Sequence, residues 1–269
     1  MHQRKTTTFI QSLLLATLLS NVFIVSACSA ESSNTPILSN QSTPNEIYEL
    51  GLAYYEGNSV PENVNKAFEL FEKAADQNYA PAQHHIGIMY YEGIGVDQDY
   101  RKAFEWVQRA AKQGYTHAQT DLAIMYESGK GVDQNYEKAM QWYLLSANNM
   151  DSSSASVDAQ GNIGTMYYFG RGVPQSYTKA LEWYKKAAAQ DLDLAQLNIG
   201  GLYENGYGVP QDYDKAFEWY QKAADQGNQE ASNRIGKLVM NGKIDDKDIV
   251  IYSTQETGLT LGDIENINQ

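Results

Sequence analysis

The 269-residue chain is short of cysteine, histidine and positive charge, and each shortage removes a class of function. Its single cysteine supports neither an intramolecular disulfide nor a cysteine-rich zinc site. Four histidines without a His-x-x-x-His spacing supply no zinc-binding helix motif. Twenty Lys+Arg stand against 33 Asp+Glu, and the net charge of −13 argues against nucleic acid, which is held by basic surfaces. Long apolar runs are also scarce. Residues 9–25 form one, but Gln11, Ser12, Ser20 and Asn21 interrupt it. That is short and polar for a spanning helix, which needs about 20 apolar residues. The chain does hold 42% hydrophobic residues and 20 tyrosines, enough to build a core.

The N-terminus reads as an export signal. Arg4 and Lys5 precede the apolar run, and the small residues Ser26-Ala27-Cys28 follow it. The only cysteine of the chain therefore sits at the end of the signal. Val25-Ser26-Ala27-Cys28 resembles the bacterial lipobox, in which the cysteine is lipidated and becomes the first residue of the mature chain. Two other readings stand beside it: cleavage after Ala30, and an uncleaved anchor. Ser29 after the cysteine resembles the outer-membrane lipoproteins of two-membrane bacteria. The resemblance implies a signal over 1–27, lipidation of Cys28, and an exported protein facing the periplasm or the cell surface. Losing Arg4 and Lys5 takes the net charge to −15. Residues 28–44 are Ser/Asn/Thr-rich and read as a tether, reaching about 20 Å on average and about 55 Å at most.

From residue 45 to 240 one pattern recurs. Aligned on the small residues Gly51, Gly87, Ala123, Gly164, Gly200 and Gly236, the copies are spaced 36, 36, 41, 36 and 36 residues apart. A fixed period of this size marks a solenoid. Each copy holds two stretches of helical spacing, as in Ala195, Ile199, Tyr203 and in Ala103, Trp106, Val107, Ala110, Ala111. A Gly-x-Gly-Val turn separates them, as in Gly93-Ile94-Gly95-Val96. Twelve residues after the anchor stand Asn63, Asp99, Asn135, Ser176 and Asp212, all good N-caps, and Lys-Ala follows three residues on. A mid-helix glycine costs about 1 kcal/mol relative to alanine. Its recurrence predicts that the two helices approach closely there.

Ala195-Gln-Leu-Asn-Ile199-Gly200-Gly-Leu-Tyr203, Gly206-Tyr-Gly208-Val209 and Lys215-Ala216-Phe-Glu-Trp219-Tyr220-Gln-Lys222-Ala223-Ala224 resemble the Sel-one-like repeat family, relatives of tetratricopeptide repeats. The resemblance covers about residues 45–240. It implies an all-α fold, a right-handed α/α solenoid of about five and a half helix-pair repeats, and a function in protein–protein interaction. Unit one departs from the pattern at Glu46, Ser59, Leu70 and Phe71, which suits an end cap. Five residues are inserted near Asp151 and are expected to loop out. The acidic tail 241–269 carries a strand-like stretch at 249–252, and its residues favour neither packing nor extension.

Several motifs suggest chemistry that the repeat explains better. His84, His85 and His117 lie on neighbouring first helices and read as exposed helix residues. Ser176-Tyr-Thr-Lys179 matches the S-x-x-K motif of penicillin-recognising enzymes, but Ser176 occupies the N-cap place and Lys179 is the recurring lysine. All four tryptophans (106, 142, 183, 219) share one repeat place, on the apolar face of the second helix, and 15 of the 20 tyrosines fall at four places. By comparison with tetratricopeptide repeats, first helices line a concave face. The places three before and one, four and five after the anchor should point into it. They give Tyr48, Tyr55, Glu56, His84, Tyr91, Glu92, Thr120, Glu127, Tyr168, Phe169, Leu197, Glu204, Asn205, Asn233 and Lys237.

The expected function is a non-enzymatic scaffold or adaptor in the bacterial envelope. It needs no cofactor or metal, is held to the membrane by lipid, and binds a basic protein or peptide. A periplasmic inhibitor of a basic toxin or hydrolase is the alternative, followed by a β-lactamase-like hydrolase. The lipid anchor is the part most directly tested: Cys28→Ala is expected to abolish incorporation of radiolabelled palmitate, and label retained by the variant would overturn the lipobox.

Overall fold

Every predicted N-cap starts a helix. The computed structural model describes residues 42–149 and 153–244, and over them eleven helices follow one another. They are α1 Pro44–Glu56, α2 Val64–Ala75, α3 Ala80–Glu92, α4 Tyr100–Lys112, α5 Thr116–Ser128, α6 Tyr136–Ala147, α7 Ser154–Phe169, α8 Tyr177–Ala188, α9 Asp193–Asn205, α10 Tyr213–Asp225 and α11 Gln229–Met240. The fold is all-α: five helix pairs and a closing helix. The signal, Cys28, nearly all of the tether, residues 150–152 and the tail beyond 244 lie outside the described residues.

The pairs are built by a repeated set of local bonds. Asn63, Asp99, Asn135, Ser176 and Asp212 are extended, and each side chain accepts from the backbone N–H three residues on. Such a cap contributes about 1 kcal/mol. The backbone N–H of the same residue donates to the carbonyl of a tyrosine in the preceding first helix: Tyr54, Tyr90, Tyr126, Tyr167 and Tyr203, at 2.8–3.0 Å. Four of these rings also carry the recurring lysine, with Nζ of Lys102, Lys138, Lys179 and Lys215 at 5.0–5.7 Å from their centres. The first glycine of each turn is left-handed, which glycine adopts without steric cost.

The anchor glycines meet the second helix as predicted. A Cβ on Gly51 would stand 2.6 Å from the Phe71 ring, on Gly87 2.6 Å from Val107, on Gly164 2.6 Å from Tyr184, and on Gly200 2.5 Å from Tyr220. In each case the partner lies 20 residues on. Gly236 is the exception: nothing stands within 4 Å of its place, because α11 has no following helix among the described residues. The second turn glycine packs one repeat back. Gly95, Gly172 and Gly208 lie against the first residues of the preceding second helices, Val64, Tyr136 and Tyr177. Ser59, at this place in the first pair, has no earlier pair to meet among the described residues, and keeps the left-handed φ of 63°.

The five-residue insertion does not simply loop out. First helices begin seven residues before their anchor, whereas α7 begins ten before and has 16 residues instead of 13. Three residues of the insertion lengthen the helix, and residues 150–152 lie outside the described residues. The tryptophans also differ from expectation. They are half-buried at the flank of the second helix, and Arg109, Lys186 and Lys222 lie 3.7–4.4 Å from the ring centres of Trp106, Trp183 and Trp219.

The chain divides into two compact units, residues 1–162 with 171–173, and residues 163–170 with 174–269. The first contains a core of Ile47, Leu50, Leu70, Phe71, Ile86 and Met89. The second contains one of Phe217, Tyr220, Leu238 and Ile244. Ile244 belongs to the predicted tail, so the tail begins inside this core.

One substitution at two equivalent places tests the close approach. Gly164→Leu should cost at least about 2 kcal/mol, because the Tyr184 ring occupies the space. Gly236→Leu should be neutral or stabilising by up to about 1 kcal/mol, since leucine is the better helix former. Urea denaturation of both variants reads the difference; equal losses would contradict the packing.

Candidate functional site

The first helices carry the predicted binding residues, and their places in the repeat decide what each one touches. In the first unit the place three before the anchor faces the next first helix. Tyr48 Oη lies 3.0 Å from His85 Nδ1, and His84 Nε2 lies 2.6 Å from Asp121 Oδ2. Both pairs are 37 residues apart, one repeat plus one. Thr120 Oγ1 contacts Ser146 Oγ at 2.7 Å and donates to the Ala155 carbonyl at 2.9 Å. His84 and Thr120 are buried, so neither presents a surface to a partner.

The expectation that the histidines are exposed is likewise corrected. His84 is 2% and His85 4% exposed, and the His85 ring stacks on Phe71 at 4.7 Å. His117 lies 6.3 Å from His84 and stacks on Tyr115. Among the described residues no group of three His, Cys, Asp or Glu is placed to hold a metal ion.

The place four after the anchor is also mostly spent inside the chain. It meets the middle residue of the next Gly-x-Gly turn. Lys130 Nζ bonds Tyr91 Oη at 2.8 Å, and Arg171 pairs with Glu127 at 3.1 Å. In the second unit Tyr207 lies 6.2 Å from Tyr168. Glu127 and Glu204 accept in addition from the core tyrosines Tyr143 and Tyr220, and Glu204 pairs with Arg234. Tyr91 is buried, while Glu127, Glu204, Tyr55 and Tyr168 are half-buried. Tyr55 packs edge-on to His85.

The places that remain at the surface differ between the units. In the first unit Glu56 is exposed, and Glu92 is half-buried with Oε1 unbonded, so that burial pushes its carboxyl up. In the second unit Phe169, Asn205, Asn233 and Lys237 are exposed and Leu197 is half-buried. Phe169 borders Tyr168 at 4.9 Å, and Tyr168 in turn borders Tyr177 at 5.2 Å. The S-x-x-K residues do what the repeat requires: Ser176 Oγ accepts from the Lys179 backbone N–H at 3.3 Å, and Lys179 Nζ lies over Tyr167.

Comparison with known proteins finds the Sel1 repeat at residues 47–79, 80–115, 116–149, 157–192 and 193–228. A Sel1 repeat protein from Oxalobacter formigenes is similar in structure, with TM-score 0.67 and 33% identity over 73% of this chain and 78% of that one. The antigen c5321, a protective antigen present in uropathogenic Escherichia coli strains and displaying an SLR fold, matches with TM-score 0.68 and 33% identity over 76% of this chain. This chain spans only 43% of that protein. No curated protein matches the chain.

The His84–Asp121 pair sets a measurable pH dependence. Burial lowers His84 from 6.5 to about 3 and raises Asp121 from 3.8 to about 7. His117 opposes the rise in Asp121, while His85 and Tyr143 also face the pair. The folded pair therefore holds one proton between about pH 4 and 6.5. The unfolded pair also holds one there, on the histidine, so the pair contributes no slope in that window. Asp121→Asn leaves His84 alone with its lowered value. Its stabilising contribution is then present above 6.5 and lost as pH falls towards 3. The stability of the variant relative to the parent should rise with pH across pH 4–6.5, by up to about 1.4 kcal/mol per unit. Urea denaturation at several pH values checks this, and a pH-independent difference would contradict the lowering of His84 by burial.

Proposed function

The chain belongs to the Sel1 repeat family, and from that membership we propose that it is a protein-binding scaffold that works without catalysis. The observation that carries the reading is the division of the first-helix face. Polar residues there are largely consumed in joining repeats, and what is left outside is contact surface. In the first unit it is Tyr55, Glu56 and Glu92; in the second it mixes the rings of Phe169 and Tyr207 with Asn205, Asn233 and Lys237. Tyrosine and phenylalanine give contact area at low cost in side-chain entropy.

We infer further that the protein is exported, lipidated at Cys28 and held at the bacterial outer membrane, with residues 29–44 as its tether. The signal layout and the lipobox resemblance support this. The net charge of −13, or −15 once the signal is removed, supports a basic partner drawn in by long-range attraction.

Capture from envelope extract tests the reading. The immobilised protein should retain a basic protein at low salt and release it at high salt, and the association rate of the purified pair should fall about tenfold or more with added salt. A salt-independent rate would contradict the electrostatic part. Retention of no protein under either condition would contradict the scaffold.

A further inference from the structure

Every first helix but α11 is followed by a second helix among the described residues. The places on α11 that such a helix would cover are therefore open. The residue before the anchor is Leu50, Ile86, Leu122, Ile163 and Ile199 in the earlier pairs, and all five are buried. Ile235, at the same place in α11, is half-buried, and the anchor Gly236 is exposed. Four residues after the anchor, Tyr91 is buried and Glu127 half-buried, each bonded to the next turn. Met240 holds that place in α11 and is 87% exposed. An apolar strip thus lies uncovered at the end of the second unit.

The chain nevertheless leaves α11 as it leaves the other first helices. Gly242, six residues after the anchor, is left-handed like Gly57, Gly93, Gly129, Gly170 and Gly206. Lys243 settles over Tyr213 at 5.0 Å, as Lys130 does over Tyr100 at 4.8 Å. Ile244 is buried in the core that holds Leu238. The turn that elsewhere leads into a second helix is therefore built here too. Residues 245–269 lie outside the described residues. In the sequence, Asp248 stands twelve residues after the anchor, in the register of the N-caps, and Ile249-Val250-Ile251-Tyr252 follow it. Five residues counted from Ile244 span up to about 17 Å, and α11, with its 12 residues, is about 18 Å long. The apolar stretch can reach along nearly all of the open strip.

We propose that Ile249, Val250, Ile251 and Tyr252 seat on Ile235 and Met240, so that the protein closes this end of its second unit with its own tail. Three observations favour the tail over another occupant. It is joined to the face by the turn itself, so its effective concentration there is high. Its charge is complementary: residues 245–269 hold six acids against Lys247 alone, and α11 exposes Lys237, which makes no ion pair among the described residues. A second copy of this acidic chain is repelled instead. The place 20 residues after Gly236 holds Glu256, where the earlier pairs have Phe71, Val107, Tyr143, Tyr184 and Tyr220. The contact is therefore an apolar cover and not a sixth helix pair.

The test places the photocrosslinking residue benzoylphenylalanine at position 240 of the full chain, where Met240 is exposed, and maps the products by mass spectrometry. Crosslinks within one chain to residues 249–252 are expected, in a yield that does not change with protein concentration. Ile249→Asp combined with Ile251→Asp should remove them and leave the helix content by circular dichroism unchanged. A second readout keeps the natural residue. Hydrogen peroxide should oxidise Met240 in the parent about threefold or more slowly than in the double variant, because oxidation follows exposure. Equal oxidation in the two proteins would overturn the proposal, as would the absence of any crosslink to residues 249–252. Crosslinks that join two copies and rise with concentration would overturn it in favour of self-association through this face. Crosslinks to an envelope protein in extract would overturn it in favour of a partner.

Discussion

The close approach of two helices at one small residue is the constraint on which each repeat depends. Gly51, Gly87, Gly164 and Gly200 sit in the middle of helices, where glycine is the poorest choice short of proline, and each faces a side chain of the partner helix at a distance that admits no Cβ without a shift. Ala123 carries a Cβ at the same place, and both it and Tyr143, 20 residues on, are fully buried. Once the helices lie this close, the turn between them is fixed. Its N-cap reaches back to a tyrosine carbonyl, and its lysine settles over the same ring.

Joining one pair to the next uses a different set of contacts, and these govern what the surface can do. One contact runs between the first helices, pairing Tyr48 with His85 and His84 with Asp121. The other sets a turn residue on the preceding pair, as Lys130 does on Tyr91 and Arg171 on Glu127. Both draw polar groups out of the face that a partner would meet.

The period, the helix starts, the turns and the close approach were all legible in the sequence, because each is a local requirement repeated in register. Asn63, Asp99, Asn135, Ser176 and Asp212 differ in chemistry yet share one function, and alignment exposes it. The binding face was less legible. Treating Tyr48, His84, Tyr91 and Thr120 as residues aimed at a partner considers one helix at a time, whereas their environment is set by the next repeat. The signal was present in the spacing: His84 and Asp121 are 37 residues apart, as are Tyr48 and His85, which places each pair on adjacent helices one step out of register. The insertion was misread for a related reason. Ser154, Ala155 and Ser156 extend a helix instead of looping out, and Thr120 and Ser146, from the preceding pair, contact the Ala155 carbonyl.

Hydroxyl-radical footprinting of the tyrosines and phenylalanines, read residue by residue, tests the division of this face most directly. The account predicts rapid modification of Phe169 and Tyr207 and protection of Tyr91, Tyr143 and Tyr220, with Phe169 and Tyr207 becoming protected when a basic partner binds. Modification of Tyr91 or Tyr143 as fast as that of Tyr207 would contradict it, because those side chains would then be facing solvent instead of joining the repeats.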